Sequence, residues 1–265
     1  MTHSLPIAKK ALGQHFLVDG HYVGRIVAAI RPQPADRMVE IGPGPGALTR
    51  PLLDTLEHLD VVELDRDMVA RLEAEFPPER LAIHQADALG FPFGDLGPDL
   101  RVVGNLPYNI SSPLLFHLAE FAPGIRDMVF MLQKEVVDRM AAAPATPDYG
   151  RLSVMLQARF RVEKLFVVPP GAFRPPPKVD SAIVRLVPLP AEAVPYRDHA
   201  LFAEVVARAF GQRRKTLRNT LKGLVEDGIF AALGIDPGRR GETLSVAEFA
   251  ALANRLVQDR AGGAG

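Results

Sequence analysis

Met38-Val-Glu-Ile-Gly-Pro-Gly-Pro-Gly-Ala-Leu-Thr49 decides how this chain is read. Four mostly apolar residues of strand character run into five residues in which glycine and proline alternate. A helical pattern, Ala47-Leu-Thr-Arg-Pro-Leu-Leu53, opens at once. Strand, tight turn and helix in that order make the first half of a βαβ unit. Glycines in such a turn adopt angles closed to other residues and let a ligand approach the main chain. Alone, the turn also reads as nothing more than a sharp connection.

Working outward, apolar runs predict further strands over 59–64, 81–85, 100–103, 127–132, 165–168 and 182–187. Helices are predicted over 20–30 with Asp19 as N-cap, over 68–76, from Ser111 or Ser112 with Pro113 in the first turn, and over 134–143. Residues 151–160 fit either helix or strand. Strands alternating with helices give a parallel, doubly wound sheet. The last two strands, with only the proline-rich loop 169–178 between them, suggest an antiparallel hairpin at one edge. Residues 1–19 read as an arm. A linker over 188–195 holds three prolines, and beyond it the strand signals stop. Helices are expected over 201–210, 215–225, 229–233 and 246–257. The expected organisation is therefore an α/β sheet domain over 1–190 and a small all-α domain over 191–265. The final residues, 261–265, are expected to be disordered.

Composition narrows the class. The chain has 265 residues, 48% hydrophobic and 23% charged, ordinary for a soluble globular protein. It lacks an apolar run of about 20 residues for crossing a bilayer and lacks the apolar core of an export signal, so a cytoplasmic location is expected. Cysteine is absent, which excludes disulfides, thiolate metal sites and a cysteine nucleophile; no metal is expected. The 31 basic and 31 acidic residues cancel, yet Gly211 to Lys222 holds five cations (Arg213, Arg214, Lys215, Arg218, Lys222) and no acid. A local basic face is compatible with that distribution.

The strand ends carry the chemistry. The second strand closes on Glu63, whose carboxylate suits a pair of ribose hydroxyls. The third runs into Asp87, placed to accept from an exocyclic amine of a bound adenine. The fourth runs into Asn105-Leu-Pro-Tyr108, where Pro107 removes a donor and keeps Leu106 extended. That loop offers an amide, backbone carbonyls and an aromatic face, a set suited to gripping a flat base. Each acid alone also reads as a surface carboxylate or a helix cap. No phosphate-binding Gly-Lys-Ser/Thr loop is present, so ATP as phosphoryl donor is not expected. S-adenosylmethionine, which has no phosphate, fits a glycine turn without a basic anchor.

The chain resembles the small-subunit (16S) ribosomal RNA adenine dimethyltransferases of the KsgA/RsmA type. The resemblance runs from Lys10 to about Asn254. It rests on Leu12-Gly-Gln-His-Phe-Leu17, Val39-Glu-Ile-Gly-Pro-Gly-Pro-Gly-Ala-Leu-Thr49, Val62-Glu-Leu-Asp-Arg-Asp67 and Gly104-Asn-Leu-Pro-Tyr-Asn-Ile-Ser-Ser-Pro-Leu114. Met131-Leu-Gln-Lys-Glu-Val-Val137, Tyr149-Gly-Arg-Leu-Ser-Val154 and Phe173-Arg-Pro-Pro-Pro-Lys-Val-Asp-Ser181 continue the series. Asn-Leu-Pro-Tyr alone marks amino methyltransferases broadly; the ordered series is specific. The resemblance implies a Rossmann-like class I methyltransferase sheet, S-adenosylmethionine as cofactor and S-adenosylhomocysteine as product. It implies cofactor contacts from Gln14, His15, Leu17, Gly42, Glu63, Asp87, Ala88 and Asn105. One departure stands out, since many relatives carry Asn where this chain has His15.

The implied reaction is N6,N6-dimethylation of two adjacent adenines in a 3′-terminal hairpin of 16S rRNA, on the immature small ribosomal subunit. The N6 lone pair is delocalised into the ring. Acceptors at Asn105 and the Leu106 carbonyl would favour a tetrahedral nitrogen, with Pro107 stiffening the loop. Tyr108 would stack on the extruded base. Phe173 reads equally as a second stacking ring or as a core residue anchoring its loop. The basic stretch, expected on one helix, would contact RNA phosphates, with Lys9 and Lys10 adding to it from the arm. Two alternatives remain at this point: a related large-subunit rRNA methyltransferase of the resistance type, or a non-catalytic assembly or transcription factor. A monomer is the default.

Overall fold

The computed structural model describes Pro6, Ala8, Lys9 and residues 14–262. The expectations for Lys10 and for 263–265 fall outside the described residues. The chain divides into two compact units, one of residues 1–137 and 163–188, the other of 138–162 and 189–265.

In chain order the elements to the end of the sheet are β1 (Phe16–Leu17), α1 (Gly20–Ile30), β2 (Met38–Ile41), α2 (Thr49–Leu53), β3 (Leu59–Glu63), α3 (Arg66–Glu75) and β4 (Leu81–Gln85). They continue with β5 (Leu100–Asn105), α4 (Ser111–Glu120), β6 (Ile125–Gln133), α5 (Lys134–Ala141), α6 (Arg151–Gln157), β7 (Phe160–Val168), β8 (Phe173–Arg174) and β9 (Ser181–Pro188). Seven strands form one sheet in the order β4-β3-β2-β5-β6-β9-β7. The β4–β3, β3–β2, β2–β5 and β5–β6 pairs are parallel, and β9 runs antiparallel to β6. This is the expected Rossmann-like α/β sheet with an antiparallel edge. All four residues of β2 are buried, as are the first five of β5, as expected where helices cover both faces of a parallel sheet.

Strand order reverses at β2, which has β3 on one side and β5 on the other. A crevice opens outside the carboxyl ends at such a point. Two local details shape it. Asp19 caps α1 by accepting from the His21 and Tyr22 amides. Gly104 lets β5 close on β2, since a Cβ there would lie 2.4 Å from the Ile41 carbonyl oxygen.

Several boundaries differ from expectation. β5 does not stop at Val103 but continues through Asn105, which pairs with Met131. The ladder to β6 carries the chain one residue into the motif before Pro107 ends it. Neither serine caps α4. Ile110 holds the cap position without a side-chain bond, and the Ser111 hydroxyl donates to the Tyr108 carbonyl. The arm and the proline-rich loop each supply a two-residue strand, β1 and β8, paired antiparallel. Such short pieces have no readable period.

The second unit is helical, with α7 (His199–Gly211), α8 (Leu217–Thr220), α9 (Asp227–Ala232) and α10 (Val246–Gly262). α7 packs against α6, α8 and α10. Phe202, Leu217, Leu221, Phe230, Phe249 and Leu252 form its interior, and the buried Tyr149 hydroxyl donates to the Leu244 carbonyl at 2.9 Å. The helix expected over 215–225 is mostly absent. Thr216 is extended, α8 has four residues, and Gly223 takes φ +77. The Leu217 and Arg218 amides donate instead to the Arg239 and Pro237 carbonyls, at 2.8 and 3.0 Å. Those amides belong to a first turn and have no intrahelical acceptor, while the left-handed Gly223 stops the helix from continuing. α10 runs on to Gly262, past where the tail was expected to lose order.

Candidate active site

The crevice is a cavity lined by the ends of β2, β3, β4 and β5 and by the arm at 14–17. Its lining contains Gln14, His15, Leu17, Gly42, Glu63, Asp87, Ala88, Asn105, Leu106, Pro107 and Tyr108. Of the expected catalytic and cofactor residues, only Phe173 is missing. It is fully buried in the core cluster with Leu17 and Ile183, so it anchors its loop and does not present a stacking ring.

The glycine turn forms one wall. Gly42 and Gly44 have φ +65 and +52, a region that L side chains rarely adopt. Glu63 braces the turn, accepting from the Gly44 amide at 3.2 Å and from the Asp65 amide at 2.8 Å. Burial raises the Glu63 pKa, against the lowering effect of those two amides. Asp87 lines the cavity and accepts from the Leu89 amide at 2.9 Å, within a turn and not at the start of a helix.

Glu40 also lines the cavity, and the motif reading assigned it nothing. It is 2% exposed. Its carboxylate accepts from the Thr49 hydroxyl at 2.6 Å. Burial, with the nearby Glu63 charge adding and the Thr49 bond opposing, pushes its pKa up to about 7. An isolated acid at a buried position of an apolar strand, two residues before Gly42, was the available signal.

The arm is tied down by its own polar groups. The Gln14 amide donates to Asp65 at 2.9 Å and accepts from the Lys9 amide at 2.8 Å. Lys9 pairs with Asp65 and Asp67, each at 2.6 Å. Gln14 is therefore a tether at the cavity edge. The Lys9 ammonium, expected on RNA, instead faces two acids. His15 sits with its ring stacked on Tyr108, centroids 5.8 Å apart at 24°, and its Nδ1 lies 2.9 Å from the Pro175 carbonyl.

Asn105 donates through Nδ2 to the His15 carbonyl at 3.1 Å. Its Oδ1 has no hydrogen-bond partner among the described residues and is left as an acceptor. The Tyr108 hydroxyl meets the Ser181 hydroxyl at 2.8 Å. Three carboxylates (Glu40, Glu63, Asp87) line the cavity, and among the described residues no Lys or Arg does. That acceptor set suits a nucleoside bearing positive charge and disfavours one bearing phosphates.

In the second unit, Arg213, Arg214, Lys215, Arg218 and Lys222 are all exposed, but they do not share one helix face. Arg213 lies 3.6 Å from Glu242 and donates to the Pro147 carbonyl. Arg218 pairs with Asp227 at 3.1 Å. Arg214, Lys215 and Lys222 have no acidic partner among the described residues.

Comparison with known proteins agrees with this geometry. The family model described as ribosomal RNA adenine dimethylase matches residues 7–258. The chain is 64% identical over 250 residues to the ribosomal RNA small subunit methyltransferase A of Aromatoleum aromaticum, covering 94% of each chain. It is 65% identical over 249 residues to the protein of the same name from Thiobacillus denitrificans, covering 94% of this chain and 98% of that one. Among solved structures, a dimethyladenosine transferase from Plasmodium falciparum superposes with a TM-score of 0.79 at 26% identity, covering 94% of this chain and 98% of that one. The 23S rRNA methyltransferase ErmE gives 0.67 at 26% identity, over 92% of this chain and 100% of that one. Glycine turn, strand-end acids and Asn-Leu-Pro-Tyr loop thus stand together on the sheet that such enzymes share, and the chain belongs to the ribosomal RNA adenine dimethylase family.

Proposed function

We propose that the protein transfers methyl groups from S-adenosylmethionine to N6 of two adjacent adenines in a 3′-terminal hairpin of 16S rRNA. The substrate is the immature small ribosomal subunit, and the reaction, N6,N6-dimethylation, is a step in ribosome biogenesis carried out by a cytoplasmic monomer. The observation that carries the cofactor assignment is the cavity lining, with three carboxylates and no Lys or Arg among the described residues. When bound, S-adenosylmethionine supplies an electrophilic sulfonium methyl and leaves as S-adenosylhomocysteine. Glu63 and Asp87 hold the nucleoside's hydroxyl and amine groups, the Gly42 turn admits it to the main chain, and Leu17 and Ala88 pack beside it.

The chain's own groups do the rest. Asn105 Oδ1 and the Leu106 carbonyl accept the amine's protons and stabilise positive charge as it develops on nitrogen. Tyr108 holds the base by stacking, which fixes the attacking geometry. The ammonium product loses its proton without a strong base. Arg214, Lys215 and Lys222 contact phosphate and position the RNA without reading sequence, with Arg213 and Arg218 beside them.

The 64–65% identity to small-subunit enzymes, against 26% to the 23S enzyme ErmE, favours the small subunit as substrate. The test is incubation with methyl-labelled S-adenosylmethionine and, separately, immature small subunits, naked 16S rRNA and large-subunit rRNA. Label in small-subunit RNA is expected. Label confined to large-subunit RNA overturns the substrate, and label nowhere turns the protein into a binding factor.

A further inference from the structure

With Phe173 in the core, Tyr108 is the aromatic residue of the motif that faces the cavity. Its use depends on the ring being held while no base is present. Three contacts hold it, and they come from three parts of the first unit. The Ser111 hydroxyl donates to the Tyr108 carbonyl at 3.1 Å. The His15 ring lies against one face. The Ser181 hydroxyl lies 2.8 Å from the phenol oxygen.

The last contact differs in kind from the others. Ser181 is the first residue of β9, in register with Gln133 of β6, so its main chain is fixed by a ladder. Tyr108 sits on the loop after β5. Ser181 is fully buried and has no other side-chain hydrogen bond among the described residues. Tyr108 is partly exposed to the cavity. A buried hydroxyl proton left without an acceptor is costly, whereas the phenol's proton can reach solvent. Either oxygen can donate in this contact, and with the serine as donor no buried serine proton is left unpaired.

We propose that Ser181 is a positioning residue: its hydroxyl pins the Tyr108 phenol to β9, setting the ring plane before the adenine arrives. His15 covers one face of that ring, so the base takes the opposite one. This is a pre-organising contact, whose benefit comes from ordering the ring in advance. It rests on the reading of Tyr108 as the stacking residue for the methylated base.

The test is a double-mutant cycle with Ser181→Ala and Tyr108→Phe, read in single-turnover methyl transfer and in cofactor affinity by calorimetry. Ser181→Ala should slow transfer by about three- to tenfold, on the scale of one hydrogen bond, and leave cofactor affinity unchanged. It should add nothing in the Tyr108→Phe background, because both changes remove the same bond. Equal losses in both backgrounds, or no loss in either, overturn the proposal. Should Ser181→Ala fail to fold, Tyr108→Phe breaks the bond from the exposed side and carries the same expectation for transfer. A second measurement needs no activity. With tyrosine rings labelled for NMR at the four tyrosines, the signals missing in Tyr108→Phe should shift in Ser181→Ala protein alone. Shifted signals without rRNA methylation by the wild type overturn the functional reading and keep the positioning. Intact methylation with unmoved signals overturns the positioning.

Discussion

Strand β5 carries Arg101 near its amino end and Asn105 at its carboxyl end, and the two are finished differently. All five N–H groups of Arg101 have acceptors. Asp127 takes two bonds, at 2.7 and 2.8 Å, and Asp36 takes one at 2.7 Å. The Ile30 and Arg31 carbonyls take the others, at 2.6 and 3.2 Å. Burial acts to raise the Asp36 carboxyl, but the Arg101, Gln33 amide and Arg126 bonds outweigh it and hold it below the usual range. At the other end polar capacity is left over: Asn105 Oδ1 has no described partner, and Glu40 is buried with one hydrogen bond. A saturated charge cluster serves the fold, and an unsaturated one waits for a ligand.

The largest effect is expected from Arg101→Ala. This change leaves Asp127 without its arginine and Asp36 with only Arg126 and the Gln33 amide, and should lower stability by about 3 kcal/mol, seen as a lower denaturant midpoint. Transfer by the folded fraction should stay near normal; a primary loss of kcat would erase the distinction between the two ends. The converse change, Asn105→Ala, should slow methyl transfer by roughly 100- to 1000-fold with little change in thermal midpoint. Cofactor and RNA affinity should fall far less. Near-normal turnover would remove Asn105 from the chemistry.

Glu40→Gln sharpens the contrast through pH. A carboxyl raised from 4.5 to about 7 in the fold favours its protonated form there. Its contribution is fully present below about pH 4.5 and is lost as pH rises towards 7. Relative to Glu40→Gln, the wild type should therefore lose on the order of 3 kcal/mol across that window in the absence of cofactor. Parallel stability–pH curves for the two proteins would refute the buried, weakly compensated carboxyl. The smallest effect concerns the basic segment. Neutralising Arg214, Lys215 and Lys222 should weaken RNA binding and flatten its salt dependence by up to about three units of log–log slope. Neutralising the ion-paired Arg213 and Arg218 should change the slope less. Equal slopes in both variants would make the pairing irrelevant to RNA contact.

Much of the site was legible because its motifs are local. The glycine turn, Glu63, Asp87 and Asn105 each sit where a strand ends, and strand ends follow from apolar runs bounded by turn residues. Glu40 was in plain view within the same motif, but its burial depends on helices and strands packed around β2. Ser181 closes one of the quoted motifs, but its contact with Tyr108 is not legible there, since the two are 73 residues apart in sequence. Phe173 was ambiguous because an aromatic residue between prolines fits a stacking loop and a core anchor equally. The basic segment misled for a related reason. Its helical spacing is real, yet the left-handed Gly223 stops the helix, and Asp227 and the more distant Glu242 pair two of its five cations.

Local patterning of residues was enough for the order of strands and helices, the parallel sheet with its antiparallel edge, and the set of groups at the strand ends. Those follow from local sterics and from the periodicity of burial, which act over a few residues. Only the tertiary structure decided that Phe173 is core and that Lys9 and Gln14 are tethers. It also put the Tyr108 ring between His15 and Ser181 and left the amide oxygen of Asn105 without a described partner. Hydrogen bonds and ion pairs are settled by whichever partner lies within about 3 Å, and for these residues that partner comes from a distant part of the chain.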